Sequence, residues 1–521
     1  MASQLTLSAS AAADAFSFRR RAIFGAAVTL AAGAGLSLAA LTQNNAVGVS
    51  LLLALFVATV IWIAPWTALV AVMLGATLVE QFTLIGSGSF TDATDQIPLF
   101  RSLSSAGLPG VYATPFELLL GFVLLMWLAR GFARRQLHLP KSKLAAIIGL
   151  FLFLVLVALL RGLSEGANPR NALWELRPWM YLGLTFLLSS QLVTQEKHFR
   201  ILLWAFAVGV GIKATQGLVL FILHPADPRP QSYLEHAESF FFGVFLALTL
   251  GLWLLSERGR MRQFMTAVAP LVLVSDMLNQ RRTAWAILAL LLAATLLLVY
   301  VRLPQRRKLI VFLVIVICIV SGAYYAAFSK DPGTLGQPAR AFDSVVFPTA
   351  RDKMSNQYRN IENVDLGIAI RQTTPLGSGF GRQIPQPVQN VNIVNVDSFI
   401  NYVPHNGILY VWLRFGLMGA ITFWMMIATA ILLACRVFQS ERPTIRLLAF
   451  VVILAVIAYI VQGFYDMGLF WFRIAAVMGT LLGSLEVAHR LEEPQTVERE
   501  SRSRSGVKPR VAVTPLGAGN R

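Results

Sequence analysis

Four short segments hold the residue types from which chemistry could be built. In NYVPHNGILYVWLRFGLMG (401–419) a Pro-His-Asn-Gly cluster stands directly in front of an apolar run. A neutral imidazole at His405 can take a proton from a hydroxyl and hand it on, because its unperturbed pKa of about 6.5 lies near working pH. A capping or interfacial histidine is the plain alternative. In LNQRRTAW (278–285), Arg281 and Arg282 present forked donors suited to phosphate or carboxylate; snorkelling to headgroups, or pairing with Asp276, is the plainer use of such a turn. Arg359, in YRNIENVD (358–365), has Glu362 three residues on as an intrahelical partner. TTPLGSGFGRQ (373–383) carries Gly377, Gly379 and Gly381, which could bring backbone amides close to an anion, but it lacks the lysine and serine or threonine of a P-loop and reads as a turn. Asn406, Arg371 and Arg382 are supporting candidates.

The elements that must position these residues belong to a membrane. The 521-residue chain is 56% hydrophobic and 13% charged, whereas soluble chains are about half apolar and about a quarter charged. Apolar stretches recur along it at about the 20 residues a helix needs to cross the hydrocarbon layer. An all-α polytopic fold with about 14 transmembrane helices is therefore expected. The expected organisation is a cytoplasmic N-terminus (1–21), helices 1–11 (22–328), one large loop (329–404), helices 12–14 (405–487) and a disordered cytoplasmic tail (488–521). Arg19 to Arg21 precede a first apolar run longer than a signal peptide's core, so an uncleaved helix is expected there.

Charge sets the orientation. Connections on the N-terminal side carry 20 Lys and Arg residues against 7 in the short connections opposite, which places both termini in the cytoplasm. The formal charge of +18 thus reads as a topology signal rather than a nucleic-acid surface. The 76-residue loop from Ser329 to Pro404 falls on the outer face, where a long connection usually has a role. Within it, Met354, Tyr358, Ile361, Val364 and Ile368 predict an amphipathic helix over 350–371. This threading delivers Arg282, Arg359 and His405 to one surface. Cys318 and Cys435 lie in apolar runs and build neither a disulfide framework nor a metal site, and Asp92 and Asp95 are too isolated to suggest one. Lys213, Arg414 and Arg473 are intramembrane charges that need partners.

QRRTAW (280–285), YRNIENVDLGIAIRQTTPLGSGFG (358–381) and PHNGILYVWLRFGLMG (404–419), in this order, resemble the O-antigen ligase and O-antigen polymerase superfamily of bacterial envelope glycosyltransferases. The family pattern is an outward Ser-Arg-Gly-like turn before a Trp, a periplasmic loop with an Arg and a Pro-Leu-Gly-x-Gly-x-Gly stretch, and a His-Asn opening a helix that ends in Gly-Leu-x-Gly. The resemblance covers roughly 140 residues of the C-terminal half and departs from the pattern at Arg281-Arg282-Thr283.

It implies a metal-independent inverting glycosyltransferase without cofactor, in the bacterial inner membrane, with its site facing the periplasm. Arg282 and Arg359, with Arg281, would hold the diphosphate of an undecaprenyl-linked glycan donor, and His405 would activate a saccharide acceptor's hydroxyl. Ligase and polymerase differ only in that acceptor. A transporter or flippase for a lipid-linked glycan is the alternative, although transporters tend to place binding charges near the midplane.

Overall fold

The computed structural model describes residues 55–82, 99–106, 110–135, 139–223, 232–331, 333–388, 399 and 401–504. The expected first span (22–42), the start of the second, and Asp92 and Asp95 lie outside the described residues.

The assigned helices begin with α1 (Thr67–Leu78), α2 (Pro115–Arg134), α3 (Lys143–Ser164), α4 (Pro169–Leu192) and α5 (Glu196–Leu223). They continue with α6 (Glu238–Leu254), α7 (Arg260–Leu278), α8 (Arg282–Arg302), α9 (Arg307–Phe328), α10 (Gln337–Val346) and α11 (Ala350–Gln372). The chain closes with α12 (Gly407–Val437), α13 (Pro443–Tyr465) and α14 (Phe472–Arg504). No strand occurs among the described residues. Eight of these helices, namely α2, α3, α5, α8, α9, α12, α13 and α14, are long and apolar enough to cross a membrane, and α1 and α6 are shorter apolar helices. The molecule is a polytopic membrane protein whose regular structure, among the described residues, is all helical.

Burial separates centre from periphery. Of the apolar window in α14, 83% is buried, against 6% in α9. A helix that is apolar all round and so little covered has only lipid to face. α14 packs along α4, and α8 lies between α6 and α13, with α9 held at the rim by few contacts.

Charges inside this bundle find partners. Lys213 reaches Glu80 at 2.6 Å, Arg473 reaches Glu235 at 2.8 Å and Glu238 at 2.7 Å, and Arg414 reaches Glu175 at 2.9 Å. All of these side chains are essentially inaccessible, where an unpaired charge would be expensive.

The large loop carries two helices, α10 and α11, where one was expected. α11 begins at a capping box in which Thr349 accepts from the Asp352 N–H and Asp352 accepts from that of Thr349. Its limits agree with the expected 350–371, but its predicted apolar stripe is not the face it buries. Met354 is 67% and Val364 52% exposed, while Asp365, Leu366 and Ala369 are buried. The helix docks through a mixed face: Leu366 and Ala369 join Ile384 and Leu413 in a small apolar cluster, while Glu362, Asn363 and Asp365 find polar partners. At the other end of the chain α14 runs on to Arg504, past the boundary expected at 487, through a stretch rich in Glu and Arg, which favour helical backbone. Residues 505–521 lie outside the described residues.

Candidate functional site

His405 stands at the mouth of α12, and its backbone is tied on both sides. Its N–H donates to Glu362 Oε2 at 3.0 Å and its carbonyl accepts from the Met467 N–H at 2.9 Å. The next residue caps the helix: Asn406 Oδ1 accepts from the Leu409 N–H at 3.1 Å, while Asn406 Nδ2 donates to Asn363 Oδ1 at 3.1 Å. Asn406 is thus a cap and a clamp between α11 and α12.

The imidazole is oriented as well. Both Glu362 oxygens lie 3.3 Å from His405 Nδ1, and the Tyr358 ring meets the imidazole edge-on at 5.8 Å. An ionised carboxylate only accepts, so the proton of a neutral ring belongs on Nδ1 and the lone pair on Nε2. That is the tautomer a general base requires.

Glu362's engagement with His405 decides the state of Arg359. The intrahelical Arg359–Glu362 pair that the sequence allows is not formed, and Arg359 makes no hydrogen bond or ion pair among the described residues. Arg359 lines an apolar groove of about 1580 Å³ between α8, α9 and α10, together with Arg282, Asn356 and Tyr465. Leu292, Leu296, Ile315 and Phe342 are among the groove's apolar walls.

The two adjacent arginines serve different neighbours. Arg282 donates to Asp352 Oδ1 at 3.2 Å and to Ser355 Oγ at 3.3 Å, tying the start of α8 to the start of α11. Arg281 donates to Ser232 Oγ at 2.8 Å and feels the charges of Asp466 and Arg359. Burial, and secondarily the charge of Arg359, pull the Arg281 guanidinium below its usual pKa, with Asp466 opposing. Asp276, the plain alternative partner for this turn, is fully buried and accepts no hydrogen bond from the described residues.

Asp466 and His236 join the cluster without having been singled out in the sequence. His236 Nδ1 lies 2.5 Å from Asp466 Oδ2. Burial alone would raise the Asp466 pKa, but His236, Arg281 and Arg359 outweigh it and hold the carboxyl below its ordinary value. A signal for both was present. SYLEHAESF (232–240) and GFYDMGLF (463–470) place titratable residues directly before apolar runs, as PHNG does, in connections the charge-derived threading puts on the same outer side.

The remaining candidates lie elsewhere. Arg371 is exposed in the last turn of α11, twelve residues beyond Arg359 and so about 18 Å along the helix axis, where it complements the helix dipole. Arg382 pairs with Glu165, the residue that follows α3.

The glycine segment is a splice rather than an anion cradle. α12 is broken at Gly416 (φ 68°, ψ −168°), and the Ser378 and Gly379 N–H groups donate to the Leu413 and Arg414 carbonyls at 2.7 and 3.2 Å, satisfying acceptors the break leaves open. A Cβ on Gly416 would stand 2.0 Å from the Pro375 carbonyl oxygen, and one on Gly377 2.3 Å from that of Arg414. Neither position has room for a side chain. Arg414 completes the splice, donating to the Arg382 and Tyr402 carbonyls at 2.6 and 2.8 Å while paired with Glu175.

No curated protein matches the chain. Residues 267–424 match the family model described as O-antigen ligase; the match begins in α7, ends in α12 and takes in Arg281, Arg282, Arg359, Glu362 and His405, while His236 and Asp466 fall outside it. Covering somewhat under a third of the chain, it assigns this segment, and with it most of the cluster around His405, to the O-antigen ligase and polymerase superfamily.

Proposed function

We propose that the protein is a membrane glycosyltransferase of surface polysaccharide assembly, moving a glycan from an undecaprenyl-diphosphate carrier to a saccharide hydroxyl. The observation that carries this reading is Arg359, which has no hydrogen bond or ion pair among the described residues and lines an apolar groove with Arg282, one turn of α11 from the carboxylate that orients His405. A polyprenyl chain suits the groove walls, and its diphosphate suits guanidinium donors.

In this mechanism His405 Nε2 takes the acceptor hydroxyl's proton as the oxygen attacks the anomeric carbon. The bond from that carbon to the diphosphate oxygen breaks with inversion. Arg359, Arg281 and Arg282 stabilise the charge left on the diphosphate, with no metal required by the scheme. Glu362 holds the imidazole and stabilises the imidazolium that forms. The groove and the arginines are compatible with a ligase or a polymerase, which share the donor.

The same reading takes about 14 spans, both termini in the cytoplasm, and residues 329–404 with the His405 site facing the periplasm of the inner membrane. Purified His405→Ala and Arg359→Ala proteins should fold and fail to transfer glycan from a polyprenyl-diphosphate donor. Normal turnover by either would falsify the assignment. Labelling of a cysteine introduced at Lys353 by an impermeant maleimide on intact cells checks the orientation, and labelling only after lysis would reverse it.

A further inference from the structure

The groove that Arg359 lines does not stop near that residue. Along α8 its wall runs from Arg282 to Tyr300, which at about 1.5 Å per residue is about 27 Å, close to the roughly 30 Å of a hydrocarbon core. Along α9, which runs the opposite way, it extends from Tyr325 to Ile310. Towards the Tyr300 end, Leu297, Val311 and Val314 line the groove and are also exposed, so it opens sideways to lipid.

This far end meets a basic rim. Segments 255–262 and 302–308 hold seven Arg and Lys residues against one carboxylate, Glu257, and that carboxylate pairs with Arg446. Arg306 ties the two segments together, donating to Ser256 Oγ and to the Leu254 carbonyl, the latter at 2.6 Å. Arg307 ties the rim to the groove. Its Nε donates to the Tyr300 carbonyl at 3.2 Å, and its guanidinium lies 5.0 Å from the centre of the Tyr300 ring, which belongs to a groove wall. Arg307 and Lys308 are both exposed. Beside them Trp253, exposed and with Arg262 4.3 Å over its ring, has the character of a headgroup-level anchor.

An apolar groove open to lipid, with cations at its end, fits an amphiphile of negative charge. The donor's own chain, held by the arginines of the other rim, would bring nothing charged to this one. An acidic peptide would match the cations and leave the walls bare. Clusters of roughly four to eight basic residues beside a membrane helix attract anionic headgroups.

We propose that this end of the groove binds an anionic glycerophospholipid of the leaflet opposite the His405 site, with its acyl chains between α8 and α9 and its phosphate against Arg307 and Lys308. The chains fill a gap that the side chains of α8 and α9 leave open. The site is separate from that of the donor and does not depend on the donor reading.

The test is native mass spectrometry of the full-length protein in detergent, titrated with phosphatidylglycerol and with phosphatidylcholine of the same acyl chains. Wild type should bind phosphatidylglycerol about tenfold or more tightly, and Arg307→Gln/Lys308→Gln should cut that preference to about twofold or less with phosphatidylcholine affinity unchanged. Val314→Trp, which fills the groove, should weaken both lipids. Glycerol phosphate should not displace bound phosphatidylglycerol. No preference in wild type, a preference that survives the double variant, or displacement by glycerol phosphate overturns the proposal. So does a preference abolished by Arg359→Gln instead, which would put the headgroup at the other end. Should the double variant fail to fold, Lys308→Gln decides: an undiminished preference refutes the site.

Discussion

Glu362 binds His405 twice, through the backbone N–H at 3.0 Å and through Nδ1 at 3.3 Å, and in doing so leaves Arg359 of its own helix unpaired. One carboxylate thereby orients the imidazole and does not pair with the arginine three residues before it. Glu362→Gln should keep the backbone contact while losing the charge that steadies the imidazolium. Turnover should fall about 10- to 100-fold with donor affinity changed little, as initial rates against donor concentration would show; a change confined to donor KM would contradict this role.

Arg359 and Arg282 should separate on stability. Arg359→Ala removes a side chain with no hydrogen bond or ion pair among the described residues, only its longer-range charge on Asp466, so its melting temperature should fall less than that of Arg282→Ala while kcat/KM falls by about two orders of magnitude. Arg282→Ala also cuts the ties to Asp352 and Ser355 between α8 and α11, and should lower both activity and melting temperature. Thermal unfolding in detergent beside a transfer assay checks both.

Removing one partner of the buried Arg414–Glu175 pair should be severe. Both side chains are almost wholly inaccessible, at 1% and 0% exposure. Glu175→Ala leaves a guanidinium uncompensated and should cost about 3–5 kcal/mol. A melting temperature within a degree or so of wild type would show that Arg414 finds another acceptor.

Gly416 has a backbone conformation, φ 68° and ψ −168°, that belongs almost solely to glycine. Gly416→Ala adds a Cβ 2.0 Å from the Pro375 carbonyl oxygen, so the glycine splice must separate. The variant should be destabilised by at least about 3 kcal/mol, and limited proteolysis should cut within 373–388 sooner than in wild type.

Acid should weaken wild type more than Asp466→Asn. The folded-state pKa of Asp466 is depressed because His236, Arg281 and Arg359 overcome the effect of burial. Its contribution to stability is therefore complete above the unfolded value of about 3.9 and is lost as pH falls towards the lower folded value. Melting temperatures compared at about pH 6 and about pH 3 should converge between the two proteins at the acid end.

Composition and spacing carried the class of this protein. Long apolar runs can only be membrane helices, because in lipid the backbone must satisfy its own hydrogen bonds. The limits of α11 were legible for a similar local reason, since Thr349 and Asp352 form a capping box three residues apart. The position of His405 at the start of a helix could be read from Pro404, Asn406 and the apolar run that follows.

What the tertiary structure decided was which of several allowed partners each polar group took. Local spacing offered Glu362 to Arg359, yet the fold gives it to His405, 43 residues away. The sequence also allowed the glycines of 373–383 to face an anion. Instead they close on the break at Gly416, because the carbonyls exposed there need donors that only a close backbone can supply. His236 and Asp466 meet across 230 residues, a distance over which no periodicity speaks. Helical pattern is set by neighbours three and four residues apart, whereas partner choice among buried charges is set by which helices pack together, and that competition is settled only when the bundle has formed.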